Sequence, residues 1–178
     1  ADERVYLQFH GVNASAKVLL NGKELCTHDN GYSTFRVDVT DELLEENLLQ
    51  VEVDNSVNDR VYPQKADFTF YGGIYRDVEF LIVPKEHFDL DYYGGNGIRM
   101  TTEVHNDTGL VHMRAYTNVK NAEGAGRKVV FSLCDADGAV VCEETGAAVS
   151  LEPFETEGTA TAAGCCEGTL KVAQAHLW

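Results

Sequence analysis

Residues 17–26 read Lys17-Val18-Leu19-Leu20-Asn21-Gly22-Lys23-Glu24-Leu25-Cys26, two apolar-containing arms about an Asn-Gly pair. Asn-Gly tolerates positive φ at both central positions of a two-residue turn, so it is the strongest short hairpin signal in a sequence. The same style continues on either side. Val5, Leu7 and Phe9 alternate with polar neighbours and read as a half-buried strand ending at Gly11. Phe35, Val37 and Val39, then Leu49, Val51 and Val53, repeat the alternation. Between them Thr40-Asp41-Glu42-Leu43-Leu44-Glu45 reads as an N-capped single helical turn. A polar stretch over 54–65, containing Tyr62-Pro63, leads to Phe68-Thr69-Phe70-Tyr71 and the pair Gly72-Gly73. A longer run from Ile74 to Val83 follows, stopped by Pro84.

The second half carries shorter strands at Leu110 to Val119, Val129 to Leu133, Val140 to Cys142, Ala147 to Leu151 and Thr169 to Val172. Turns are expected at Asn121-Ala122-Glu123-Gly124, Asp135 to Gly138 and Ala163-Gly164. Strands this dense predict an all-β chain of two β-sandwich domains, 1–84 and 85–178, the second of immunoglobulin-like kind. Pro84-Lys85-Glu86 is the natural boundary, and no catalytic α/β domain is read.

The 178 residues are 44% hydrophobic and 24% charged, ordinary globular proportions. A formal net charge of −15 repels phosphate backbones, so nucleic-acid binding is excluded. No apolar run nears the roughly 20 residues of a membrane span, and no signal-peptide pattern opens the chain. It begins Ala1-Asp2-Glu3-Arg4 and ends Leu177-Trp178, which reads as a piece of a longer protein. Cys26, Cys134, Cys142, Cys165 and Cys166 are odd in number with no CxxC, so free thiols in a reducing, cytoplasmic setting are expected. A two-residue Asp137-Gly138 turn would set Cys134 opposite Val141, and adjacent Cys165 and Cys166 would face opposite ways. The six histidines show no zinc spacing, and His105 and His112 are expected to bracket a turn at 106–109. Asp89-Leu90-Asp91 has too few acids for a calcium loop. No metal or cofactor is expected in this chain.

The segment Asp67-Phe68-Thr69-Phe70-Tyr71-Gly72-Gly73-Ile74-Tyr75-Arg76-Asp77-Val78 resembles a signature of glycoside hydrolase family 2, in particular its β-galactosidases. Leu7-Gln8-Phe9-His10-Gly11-Val12 and Val18-Leu19-Leu20-Asn21-Gly22-Lys23 are similar to the core of that family's sugar-binding jelly roll. Gly31 to Phe35, Asp38-Val39-Thr40, Asn47 and Val51 to Asn55 fit the same template in order. Pro84 to Phe88 resembles the passage into the family's Ig-like second domain, and Ala175-His176-Leu177-Trp178 the strand that closes it.

The resemblance implies a jelly roll lacking its first strands, followed by an Ig-like sandwich. It also implies a non-catalytic two-domain fragment of a β-galactosidase that hydrolyses terminal β-galactosides. The barrel bearing both catalytic glutamates would lie outside this chain, so no catalytic residue is assigned and the chain alone should be inactive. One site residue carries over: Asp67, the aspartate that a jelly-roll loop sends into the barrel's pocket to contact the sugar. A carboxylate there accepts from two hydroxyls, each bond worth about 1.5–3 kcal/mol. The plainer reading is a turn cap after Lys65-Ala66.

Arg76 and Asp77 read as a structural pair, Gly72-Gly73 as supplying unusual backbone angles, and Tyr92-Tyr93-Gly94-Gly95-Asn96-Gly97 as a glycine-rich turn or a stacking site. The carbohydrate partner would be met through the parent's active site, and the uncovered sheet edges are expected to self-associate. The rival is a free-standing carbohydrate-binding or adhesin-like β-protein; β-glucuronidase and β-mannosidase remain open within the family.

Overall fold

A computed structural model of the protein describes residues 2–91, 94–118, 127–148, 154–156, 159–161 and 164–175. The chain divides into two units, Ala1–Lys85 and Glu86–Trp178, and is all-β, with no α-helix among the described residues.

The first unit holds β1 (Glu3–Phe9), β2 (Val12–Asn13), β3 (Ser15–Leu20), β4 (Lys23–Asp29), β5 (Phe35–Asp38), β6 (Leu49–Asp54), β7 (Gly73–Ile74) and β8 (Val78–Pro84). They form antiparallel sheets ordered β5-β1-β8 and β4-β3-β6, with the short pair β2-β7. Asn21 and Gly22 turn at φ 54° and 80°, so the expected hairpin forms between β3 and β4, with a bulge between Val18 and Leu19. Leu7, Phe9, Phe35 and Val37 face Ala16, Val18 and Leu20 in one core, with Phe9 and Phe35 stacked at 4.8 Å. Each of the Val, Leu and Phe side chains contributes about 1.5–3 kcal/mol on burial.

β1 is not half-buried. Tyr6 and Gln8 are as enclosed as Leu7 and Phe9, because β1 is the central strand. Gln8 is satisfied there: it accepts from Arg36 Nε and donates to Glu79. The helical turn is a single 3-10 turn over Thr40–Glu42 without a side-chain cap. Thr40 Oγ1 instead accepts from Val5 N at 2.8 Å, joining the turn to β1. The run after Gly73 is broken into β7 and β8, since residues 75–77 between the strands turn back to bond 10–11 and 31–32.

The second unit holds β9 (Ile98–His105), β10 (Thr108–Thr117), β11 (Lys128–Cys134), β12 (Val140–Ala148), β13 (Phe154–Thr156), β14 (Thr159–Thr161) and β15 (Gly164–Ala173). The sheets are β15-β10-β9, β11-β12 and β13-β14. Val111, Ala115, Cys166 and Leu170 of the three-stranded sheet pack against Val129 and Phe131 of β11. Gly168 makes room for the Phe131 ring: a Cβ there would lie 2.5 Å from it.

Several expectations shift here. β9 is a strand that the alternation did not single out. His112 sits mid-strand in β10, so only His105 borders the turn at 106–107. Gly164 begins β15 instead of belonging to a turn. Cys134 pairs with Val140, not Val141: Asp135 Oδ1 accepts from Asp137 N and Ala139 N, which lengthens the loop, and the strands bulge beside Cys134. None of the five cysteines forms a disulfide. The turn at 121–124, residue 163, Tyr92-Tyr93, the Val119 end of one strand, the 149–151 end of another and 176–178 lie outside the described residues.

Candidate functional site

The stretch 55–72 between β6 and β7 is almost wholly exposed, yet it is tied down at both ends. Its first half is held by its own side chains. Asp54 Oδ1 accepts from Ser56 N at 2.8 Å, and Asn58 Oδ1 accepts from Arg60 N and Val61 N at 2.9 and 3.0 Å. These are the short Asx turns that Asp and Asn favour. Gln64 Nε2 donates to Val61 O at 2.6 Å and to Asn58 O, closing the loop over the buried Val61. Arg60 Nε donates to Asp29 Oδ2 at 2.9 Å and fastens the loop to β4. Ser15 and Arg60 together hold the Asp29 carboxyl below its usual range. The Tyr62–Pro63 peptide is cis.

The second half is fastened by the glycine-rich motif. Asn13 Nδ2 donates to Tyr71 O at 2.8 Å. Gly72 lies so close to Asn55 that a Cβ would stand 2.5 Å from its side chain, and Gly31 is equally tight, 2.3 Å from Asn13 Oδ1. The pair Gly72-Gly73 therefore does two jobs: Gly72 gives room, and Gly73 gives a left-handed backbone.

Arg76 and Asp77 do not pair. Arg76 Nη1 donates to the carbonyls of His10 and Tyr32, each at 3.3 Å, while its guanidinium lies 5.1 Å from the Tyr75 ring centroid. Asp77 contributes its carbonyl, which accepts from His10 N at 3.1 Å.

Asp67 lies between the two anchors. It is exposed and, among the described residues, makes no hydrogen bond or ion pair, so it caps no turn. Beside it Phe68 and Phe70 pack ring to ring at 4.7 Å, and Tyr62, Phe68 and Tyr71 are open to solvent. A carboxylate free of protein partners on an anchored loop can accept hydrogen bonds from hydroxyls, and the exposed rings beside it can cover an apolar surface. The anchoring residues Asn13, Asn58 and Gln64 were not singled out in the sequence, and Gly31 was named there only as part of the 31–35 template match. The Asx-prone run Asp54-Asn55-Ser56-Val57-Asn58 was the one signal for part of them.

No group of three His, Cys, Asp or Glu among the described residues is placed to hold a metal ion. Asp89 is buried and backbone-bonded to Tyr116, and its Oδ1 accepts from Asp91 N at 3.0 Å, which is a turn.

Residues 1–92 match the family model described as glycosyl hydrolase 2 galactose-binding domain-like. A β-glucuronidase of Bacteroides fragilis is 32% identical over 145 residues, 80% of this chain and 21% of the relative. A β-galactosidase of Thermoanaerobacter pseudethanolicus is 29% identical over 147 residues, 68% of this chain and 20% of that one. The crystal structure of an FMN-binding β-glucuronidase from Faecalibacterium prausnitzii L2-6 superposes with a TM-score of 0.81 at 32% identity, covering 100% of this chain and 25% of that chain. The chain thus spans about a fifth to a quarter of the relatives it matches.

Proposed function

The chain belongs to the glycosyl hydrolase 2 galactose-binding domain-like family, and from that premise we propose that it forms a non-catalytic part of a glycoside hydrolase that presents Asp67 to the sugar. The reading rests on one observation above others: Asp67 is unpartnered on a loop whose two ends are both clamped. A group that must meet a ligand hydroxyl at hydrogen-bond distance needs this combination of a free acceptor and a fixed base. Cleavage itself would use an acid/base and a nucleophile carboxylate about 5–5.5 Å apart in a barrel domain outside this chain. Of the acids in this chain, Asp38 and Asp41 share Arg4 and form no such catalytic pair.

The substrate of the whole enzyme is a terminal β-galactoside on the wording of the 67–78 motif. A β-glucuronide is the second reading, favoured by the 32% match to the Bacteroides fragilis β-glucuronidase. Nitrophenyl β-galactoside and β-glucuronide are offered to this chain and to the full-length enzyme in parallel. The chain should be inert, and D67A in the full-length enzyme should lower kcat/KM by about 10- to 100-fold, the value of one lost charged hydrogen bond. Turnover by the chain alone, or a D67A enzyme as efficient as the parent, overturns the reading.

A further inference from the structure

In the second unit, the three-stranded sheet turns one face to the core and lines up polar rows on the other. Arg114 of β10 lies opposite Arg99 of β9 and Glu167 of β15; His112 lies opposite Thr101 and Thr169; Leu110 lies opposite Glu103 and Lys171. Like charges placed directly opposite across an antiparallel pair are destabilising. Arg114 is answered: Tyr116 first and Glu167 second push its pKa up, and Glu167 accepts from its guanidinium. Arg99 is not answered, for among the described residues its side chain makes no hydrogen bond or ion pair, in a chain of net charge −15.

Arg99, Thr101, His112, Arg114, Glu167 and Thr169 line an open cavity of about 420 Å³. We infer that this cavity binds a small carboxylate-bearing sugar, with the Arg99 guanidinium taking the carboxylate. The planar fork donates two parallel N–H···O bonds to a carboxylate, and an anion held there also relieves the Arg99–Arg114 repulsion. The middle row suits neutral hydroxyls. The Thr101 hydroxyl makes no hydrogen bond among the described residues, while His112 Nδ1 and Thr169 Oγ1 lie 3.1 Å apart and the far ring nitrogen lies 3.9 Å from Glu103 Oε1. Glu103 and Glu167 disfavour a dianion such as phosphate more than a monoanion. This site stands on the second unit alone and does not rest on the role of Asp67.

The test is a titration of the 178-residue chain with D-glucuronate, D-glucose and inorganic phosphate, followed by NMR of the Arg99 Nε–H and the His112 ring. Glucuronate should give saturating shifts of both and glucose none, and phosphate should bind more weakly. R99A should weaken glucuronate binding about tenfold or more, R99K, which keeps the charge but loses the fork, should recover only part of it, and T101V should weaken it by less. Wild-type binding by R99A, equal shifts with glucose, or tighter binding of phosphate would each overturn the assignment.

Discussion

The Tyr75 hydroxyl donates to the Gly31 carbonyl at 2.6 Å, while the Tyr75 ring lies 2.9 Å from where a Gly11 Cβ would stand. One side chain thus joins the turn after β1 to the turn before β5 and fixes the base of the Asp67 loop. Y75F keeps the ring and removes one part-buried hydrogen bond. It should lower unfolding free energy by about 1 kcal/mol in urea titrations. An unchanged midpoint would show that the bond carries no net weight.

Gly31 is small for a reason of space. Its missing Cβ would meet Asn13 Oδ1 at 2.3 Å, and Asn13 in turn holds Tyr71. G31A should destabilise by about 1–3 kcal/mol, the range for overpacking a closed site. The double variant G31A/N13A should recover part of that loss, because the clash goes with the amide. Additive losses would mean that the contact is not what constrains position 31.

His28 stacks on Phe35 at 4.2 Å and lies 3.0 Å from Ser33 Oγ, and burial pushes its pKa down. The folded state therefore resists protonating this ring. As pH falls below about 6.5 the unfolded chain takes up a proton that the folded chain refuses. Stability present above that pH declines, and the decline levels off once the folded pKa is passed. Denaturant midpoints between pH 8 and 5 should show this slope, and H28Q should flatten it.

β8 is an edge strand of its sheet among the described residues, and its alternate residues Val78, Phe80 and Ile82 are exposed on the face that β1 and β5 use for the core. We propose that this edge pairs with a second copy of the chain. An antiparallel register centred on Leu81 sets Phe80 against Ile82 and Glu79 against Val83, so no charge opposes its twin. Sedimentation velocity of the isolated chain should show concentration-dependent association, which F80K should weaken about tenfold or more. A monomer at high concentration would sink the proposal.

What residues 1–85 share with any β-protein was legible in the sequence. Alternation at 5–9, 35–39 and 49–53 and the Asn21-Gly22 pair are local signals, and local backbone preferences acted on them directly. The tertiary structure alone decided which strand is central. Period-two alternation reports one apolar face, but Tyr6 and Gln8 are buried by neighbours on both sides of β1, which pair across the sequence. The same holds for the site. The 67–78 motif singled out Asp67 by its wording, while the partners of Arg76, the closeness of Gly31 to Asn13 and the placing of Glu167 beside Arg114 come from separate segments. No composition or spacing encodes those contacts, because each is set by where the folded sheets bring separate loops and strands together.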